Sequence, residues 1–137
     1  DKFFGSWLHE FGPDYMPAET GMDRFTSYNK PAQFIGKAAA AAEKSAGPAR
    51  RLCAFEVDAI DADVVAYEPI YVDGAVVGFC TSGGYSHYAE KSIALGFVPA
   101  GMAEDGLKAE IEILGEMRPA RLITEPLFDA DGARMRG

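Results

Sequence analysis

The hydrophobic pattern changes its period once, near Gly47-Pro48. Before that point, "KPAQFIGKAAAAAEKSAG" reads as a helix. Pro31 suits a first turn, five alanines run from Ala38 to Ala42, and Gly47 followed by proline is a stop. Alanine has the highest helix propensity, and Phe34, Ile35 and the alanines supply an apolar stripe. Further upstream, "FFGSWLHEFGPDYMPAETGMDRF" is aromatic-rich and broken by Gly5, Gly12 and Pro13. That composition predicts irregular chain with one short helical turn over Pro17 to Met22.

After Arg50 the period becomes two. "RLCAFEVD" sets Leu52, Ala54 and Glu56 against Cys53, Phe55 and Val57. "EPIYVDGAVVGFCTS" places Asp73-Gly74 between two β-rich runs, the strongest short-range hairpin signal. "KSIALGFVPA" is a strand ending at Pro99, and "LKAEIEILGEMRPARLITEPLF" holds two more around Gly115-Glu116. Within it, Lys108, Glu110 and Glu112 face outward while Ala109, Ile111 and Ile113 face inward. Short strands, tight turns and no intervening helices predict a mainly β fold with some α. The expected form is an antiparallel Greek-key-like β-barrel of five to six strands over residues 49–137, preceded by an irregular and helical segment over residues 1–48.

Composition narrows the function classes. The 137 residues suit one domain, with hydrophobic content of 48% sufficient for a packed core. A formal net charge of −8 argues against non-specific binding to nucleic acid or anionic membrane, which both reward excess Lys and Arg. Cys53 and Cys80 lie in predicted strands without a C-x-x-C or clustered histidine, which fits buried thiols of a reducing compartment, cytoplasm or organelle matrix. No apolar run approaches the roughly 20 residues of a spanning helix. The start at Asp1, without initiator Met or signal segment, is expected of a piece of a longer chain.

The stretch "GFCTSGGYSHYAEKSIALGFVP" carries the densest motif content. As a phosphate loop it fails, because Gly84 stands where Walker A needs its lysine and no helix pattern follows. As a nucleophile turn it fails too: Ser82 and Ser86 lie outside G-x-S-x-G, and Cys80 with His87 is a poor thiol–imidazole pair. A hairpin reading remains. In it Gly83 and Gly84 allow positive φ or close backbone approach and form a turn, so that valine at Gly84 is expected to be strained if φ there is positive. His9 and His87 are read as surface or satisfied side chains. Glu56, Glu68, Glu90 and Glu125 include possible functional carboxylates that are more simply solvated faces.

"VVGFCTSGGYSHYAEKSIALGFVPA" is similar to the C-terminal barrel of the glycine-cleavage aminomethyltransferase (T-protein) family, which shows V-G-x-x-T-S-G, a lysine, then A-x-G-Y-V-P. "YEPIYVDGAVVG" fits the preceding hairpin. "DKFFGSW", "YMPAETGMDRF", "KPAQFIGKAA" and "PARLITEPLFDADGARMRG" resemble the version fused behind FAD-dependent dimethylglycine and sarcosine dehydrogenases. The resemblance implies a part of a one-carbon transfer protein that closes a tetrahydrofolate channel. It also implies that the catalytic aspartate, the FAD site and the other domains of the parent lie N-terminal to this chain. On this reading the segment alone is inactive, binds no FAD, and contains neither a catalytic residue nor a metal site. Asp1 stands at the glutamate of the family's R-L-E segment, Phe4 and Trp7 at its aromatic positions, and Lys30 near a basic residue at the folate end. These four are the folate-wall candidates; Phe4 and Trp7 read equally well as core aromatics. The remaining alternatives are a stand-alone T-protein and a barrel used only for docking.

Overall fold

A computed structural model describes residues 5–137. Strands form where the period-two runs predict them: β1 (Arg50–Val57), β2 (Pro69–Val72), β3 (Ala75–Ser86), β4 (Lys91–Pro99), β5 (Lys108–Ile113) and β6 (Glu116–Ile123). Every paired neighbour is antiparallel, and the order β1-β4-β3-β2-β5-β6 closes into a barrel. β1 returning beside β4 of the β2–β3–β4 meander is a Greek-key arrangement. Inward positions of all six strands build one core, with Phe55, Ile70, Cys80, Val98, Ile111 and Leu122 almost wholly buried. β5 has the expected wet face: Lys108 and Glu110 are exposed, while Ala109, Ile111 and Ile113 are buried.

The turns follow backbone handedness. Asp73-Gly74 joins β2 to β3 with φ of 50° and 77°, the primed geometry that matches strand twist. The β5–β6 turn uses Leu114-Gly115, with φ of 52° and 85°, one residue before the predicted Gly115-Glu116. Gly115 takes the second left-handed position, and Glu116 already begins β6.

Gly83-Gly84 is not a turn. Both residues lie inside β3, paired with Ala94 and Ile93, and the chain reverses after Ser86, with Glu90 at φ 54°. The reason for glycine at position 83 is close approach: a Cβ there would sit 2.6 Å from Cβ of Val64 and 2.7 Å from its carbonyl oxygen. At Gly84 φ is not positive and a Cβ would meet nothing within 4 Å, so the strain expected there is absent.

The helix α1 (Lys37–Ala46) is shorter than the stretch from Pro31 that the sequence predicts. Gly36, at φ 87°, forms a left-handed N-cap, and residues 31–36 remain turn and bend. Only Ala40 is buried, while Phe34 and Ile35 are exposed, so the predicted apolar stripe does not dock on the barrel. Pro17 to Met22 forms a turn closed by the Met22 amide on the Pro17 carbonyl at 2.8 Å.

The segment before β1 nevertheless covers one barrel face. Phe97 points outward by the alternation of β4, yet is 1% exposed. Tyr15 stacks on it at 4.2 Å between ring centroids, and the Arg50 guanidinium lies 4.8 Å from the Tyr15 ring and 5.3 Å from that of Phe97. Glu19 holds this cation through a 3.0 Å ion pair, and its carbonyl accepts the Leu52 amide at 2.7 Å.

The two glycines separate cleanly by substitution. Gly83→Val should destabilise by about 1–3 kcal/mol through overpacking against Val64. Gly84→Val should leave the chemical-denaturation midpoint within about 0.5 kcal/mol of wild type, as expected of an uncrowded site. Equal losses at both positions would refute the close-approach account.

Candidate functional site

The T-S-G run of β3 is where the barrel meets the N-terminal segment. A β-bulge between Cys80 and Ser82 breaks the register with β4. Such a bulge re-aims side chains: Cys80 enters the core while Thr81 and Ser82 turn to Glu10, which is wholly buried. Its carboxylate accepts the Ser6 amide at 2.6 Å, the Ser6 hydroxyl at 2.9 Å and the Ser82 hydroxyl at 2.8 Å. The Thr81 hydroxyl also faces the carboxylate and stabilises its charge, although it has no partner at full hydrogen-bond geometry. Burial pushes the Glu10 pKa up, but the contacts from Thr81, the Ser6 amide, Ser82 and the Ser6 hydroxyl outweigh it and hold the carboxyl below its ordinary 4.5.

Glu10 belongs to a single turn in which the Glu10 and Phe11 amides both donate to the Ser6 carbonyl. That turn directs Glu10 inward and leaves Trp7 and Leu8 outside, 75% and 78% exposed. Trp7 is therefore not a core aromatic. His9 meets the ring of Tyr67 edge-on at 6.3 Å, and Tyr67 lies over Phe79 at 6.5 Å.

Of the folate-wall candidates, Asp1 and Phe4 lie outside the described residues. Lys30 is exposed in the loop before α1, where its carbonyl accepts the Lys37 ammonium at 2.5 Å. Among the described residues, no hydrogen bond or ring contact joins Trp7 to Lys30. What sequence reasoning missed is Glu10 itself and Tyr67. Their signals were the T-S hydroxyls needing a partner and an aromatic residue two positions before a strand, neither decisive without the fold.

The other candidate chemistries resolve differently. Cys80 is buried in the core while His87 is exposed beyond β3 against Tyr85, so they form no catalytic pair. Burial pushes the Cys80 thiol up to about 12 and the Cys53 thiol up to about 11. Glu56 is a clamp rather than a solvated face, ion-paired to Lys91 at 2.8 Å and to Arg121 at 3.5 Å. The Lys91 hydrogen bond leads the causes that lower its pKa. Among the described residues, no group of three or more His, Cys, Asp or Glu is placed to hold a metal ion. No helix among them is long and apolar enough to cross a membrane.

Comparison with known proteins matches this architecture. The family model "Glycine cleavage T-protein C-terminal barrel domain" covers residues 50–129. The chain is 42% identical over 136 residues to "Dimethylglycine dehydrogenase, mitochondrial" of Mus musculus, covering 99% of this chain and 16% of that protein. It is 34% identical over 125 residues to an aminomethyltransferase of Desulfitobacterium hafniense, covering 90% of this chain and 33% of that protein. The crystal structure of the glycine cleavage system aminomethyltransferase T from Bartonella henselae superposes with a TM-score of 0.77 at 22% identity, over 86% of this chain and 33% of that one. The fold is thus shared, and the chain spans about a sixth of the dehydrogenase's length.

Two measurements test this site. Because the folded pKa of Glu10 lies below 4.5, its stabilisation is present above that value and lost as pH falls through the folded value. Wild type should therefore lead Glu10→Gln in denaturation midpoint at neutral pH, with the gap closing in acid; parallel curves would contradict the assignment. Native-state alkylation of Cys80 at neutral pH should proceed only as fast as the protein opens, since the thiolate is scarce and buried. Prompt labelling would place Cys80 outside the core.

Proposed function

This chain belongs to the glycine cleavage T-protein C-terminal barrel family, and from that premise we propose that it forms the closing wall of a tetrahydrofolate channel in a one-carbon transfer protein. The parent is read as a dimethylglycine- or sarcosine-dehydrogenase-like enzyme. The observation that carries this reading is the 42% identity to the dehydrogenase across 136 residues, which includes the N-terminal segment as well as the barrel. A stand-alone aminomethyltransferase parent is the second reading, supported by the 34% match over 125 residues. An organelle-matrix location accompanies the first reading, since the printed name of the mouse relative includes "mitochondrial".

The residues fit one side of a folate site and not a flavin site. Trp7 offers an exposed indole to a flat ring, and the exposed Lys30 offers a cation to the carboxylate end. Tetrahydrofolate, when bound, supplies the nitrogen that takes up the one-carbon unit. The chain's contribution is to bind and orient: Glu10 fixes the turn that bears Trp7, and the barrel gives that turn a rigid base. An FAD cradle requires a parallel β-α-β unit with a glycine-rich turn. An antiparallel barrel closed on itself does not fit that cofactor, which we assign with the amine chemistry to the N-terminal domains of the parent. The segment alone accordingly lacks activity.

Titration of tetrahydrofolate into the full-length protein tests the wall. Trp7→Ala should weaken folate binding about two- to tenfold, the scale of one aromatic contact. In the dehydrogenase reading, flavin reduction by the amine should stay unchanged. Unaltered folate affinity in a folded variant would remove this segment from the site.

A further inference from the structure

We propose that the residues after β6 form a releasable strap, which holds the β3–β4 turn and opens independently of the barrel. The strap is fastened at two places. At its start, the Thr124 amide and hydroxyl both donate to Asp105 Oδ1, at 3.0 and 3.2 Å. Further along, it reaches Tyr88 in the turn between β3 and β4, where Phe128 meets the Tyr88 ring edge-on at 4.3 Å between centroids.

Arg134 locks that second contact. Its guanidinium lies 5.3 Å from the Tyr88 ring and 5.4 Å from that of Phe128, and it donates to the Tyr88 hydroxyl at 3.2 Å. Aromatic faces attract a cation, and a planar guanidinium serves two rings while its fork still donates. Arg134 stands in α2 (Ala133–Arg136), a single turn of four residues. So short a helix does not hold itself in water. Asp129 orders it locally: the Arg134 amide donates to its Oδ1 at 3.2 Å, and the Gly132 amide donates to its carbonyl at 2.8 Å.

The turn needs an outside hold because its own ties are few. Residues 87–90 reverse the chain with Glu90 at φ 54°, a left-handed conformation that glutamate takes with strain. The Ala89 amide reaches the Ser86 hydroxyl only at 3.4 Å, the long limit of a hydrogen bond. Among the described residues, no backbone hydrogen bond joins two positions within 87–90. The strap is also able to let go. Tyr88 is 64% exposed and Met135 75%, so the lock stands in water and buries no core. Such contacts open far more readily than the closed barrel behind them. The family model ends at residue 129, which leaves Tyr88 and Phe128 within the shared region and Arg134 beyond it.

Hydrogen exchange of the full-length protein, read by mass spectrometry, tests the strap. In wild type, residues 86–91 and 128–136 should open together, ahead of β1 and β5. Arg134→Ala should speed exchange in both stretches about three- to tenfold, the scale of an exposed cation–aromatic contact with its hydrogen bond, and leave the strands unchanged. Arg134→Lys keeps the charge without the planar fork and should fall between the two. Faster exchange in the tail alone would show that the turn stands without the strap, and would overturn the inference. Acceleration through the whole barrel would make Arg134 a general support of the fold and overturn release as a local event. No change in either stretch would make the cation–ring contact incidental and overturn it equally.

Discussion

A buried carboxylate governs how the two parts of this chain meet. Taking a charged Glu10 out of water is costly unless every lone pair finds a donor. The donors come from two places that are distant in sequence: Ser6 on its own turn, and Ser82 with Thr81 on β3. The segment therefore has one satisfactory position on the barrel, because sliding it by a residue would strand the charge. The bulge at Cys80–Ser82 makes the position available by redirecting the hydroxyls while keeping Cys80 in the core. Gly5 belongs to the same constraint, since a Cβ on it would lie 2.4 Å from Cβ of Glu10.

A second contact extends the first and gives it area. Phe97 faces away from the barrel interior, and leaving so large a ring in water would forgo about 1.5–3 kcal/mol of burial. Tyr15 and the Arg50 guanidinium lie against it instead, with Glu19 neutralising the cation over the rings. Glu10 sets position and the Tyr15–Phe97 stack supplies apolar burial, so residues 5–19 are integral to the fold and not a linker laid beside it. The family model begins at residue 50, whereas the match to the dehydrogenase extends across nearly the whole chain.

The barrel was legible because its information is local. Alternation in "KAEIEIL", Asp73-Gly74 and the stop at Pro99 each fix a structure within a few residues. Gly83-Gly84 misled because glycine has two uses, positive φ and close approach, and only the position of Val64 across the barrel distinguishes them. Pro31 and the alanines favour helix from residue 31, but Gly36 in the left-handed region delays the start of α1 to Lys37. The site was less legible than the fold. Glu10 shows no periodic signature, and its partner Ser82 lies 72 residues away. Tyr67 looks ordinary in sequence, and its left-handed φ of 73°, like those of Glu90 and Leu114, shows only in the structure.

Exposed apolar groups lie on both parts of the chain. Closure leaves the barrel no free strand edge, and β5 presents Lys108 and Glu110 outward. On the segment, Trp7 and Leu8 are exposed on the Glu10 turn, as Ile60, Val76 and Leu114 are on the barrel half. A turn anchored by Glu10 can carry such groups without collapsing onto the nearest apolar face, because collapse would break the carboxylate's hydrogen bonds. The buried charge thus keeps Trp7 and Leu8 exposed on a fixed turn, ordered before any ligand or neighbouring surface meets it. Preorganisation of this kind lowers the ordering cost of that encounter, and in this chain it is built from one carboxylate, two serines and a threonine.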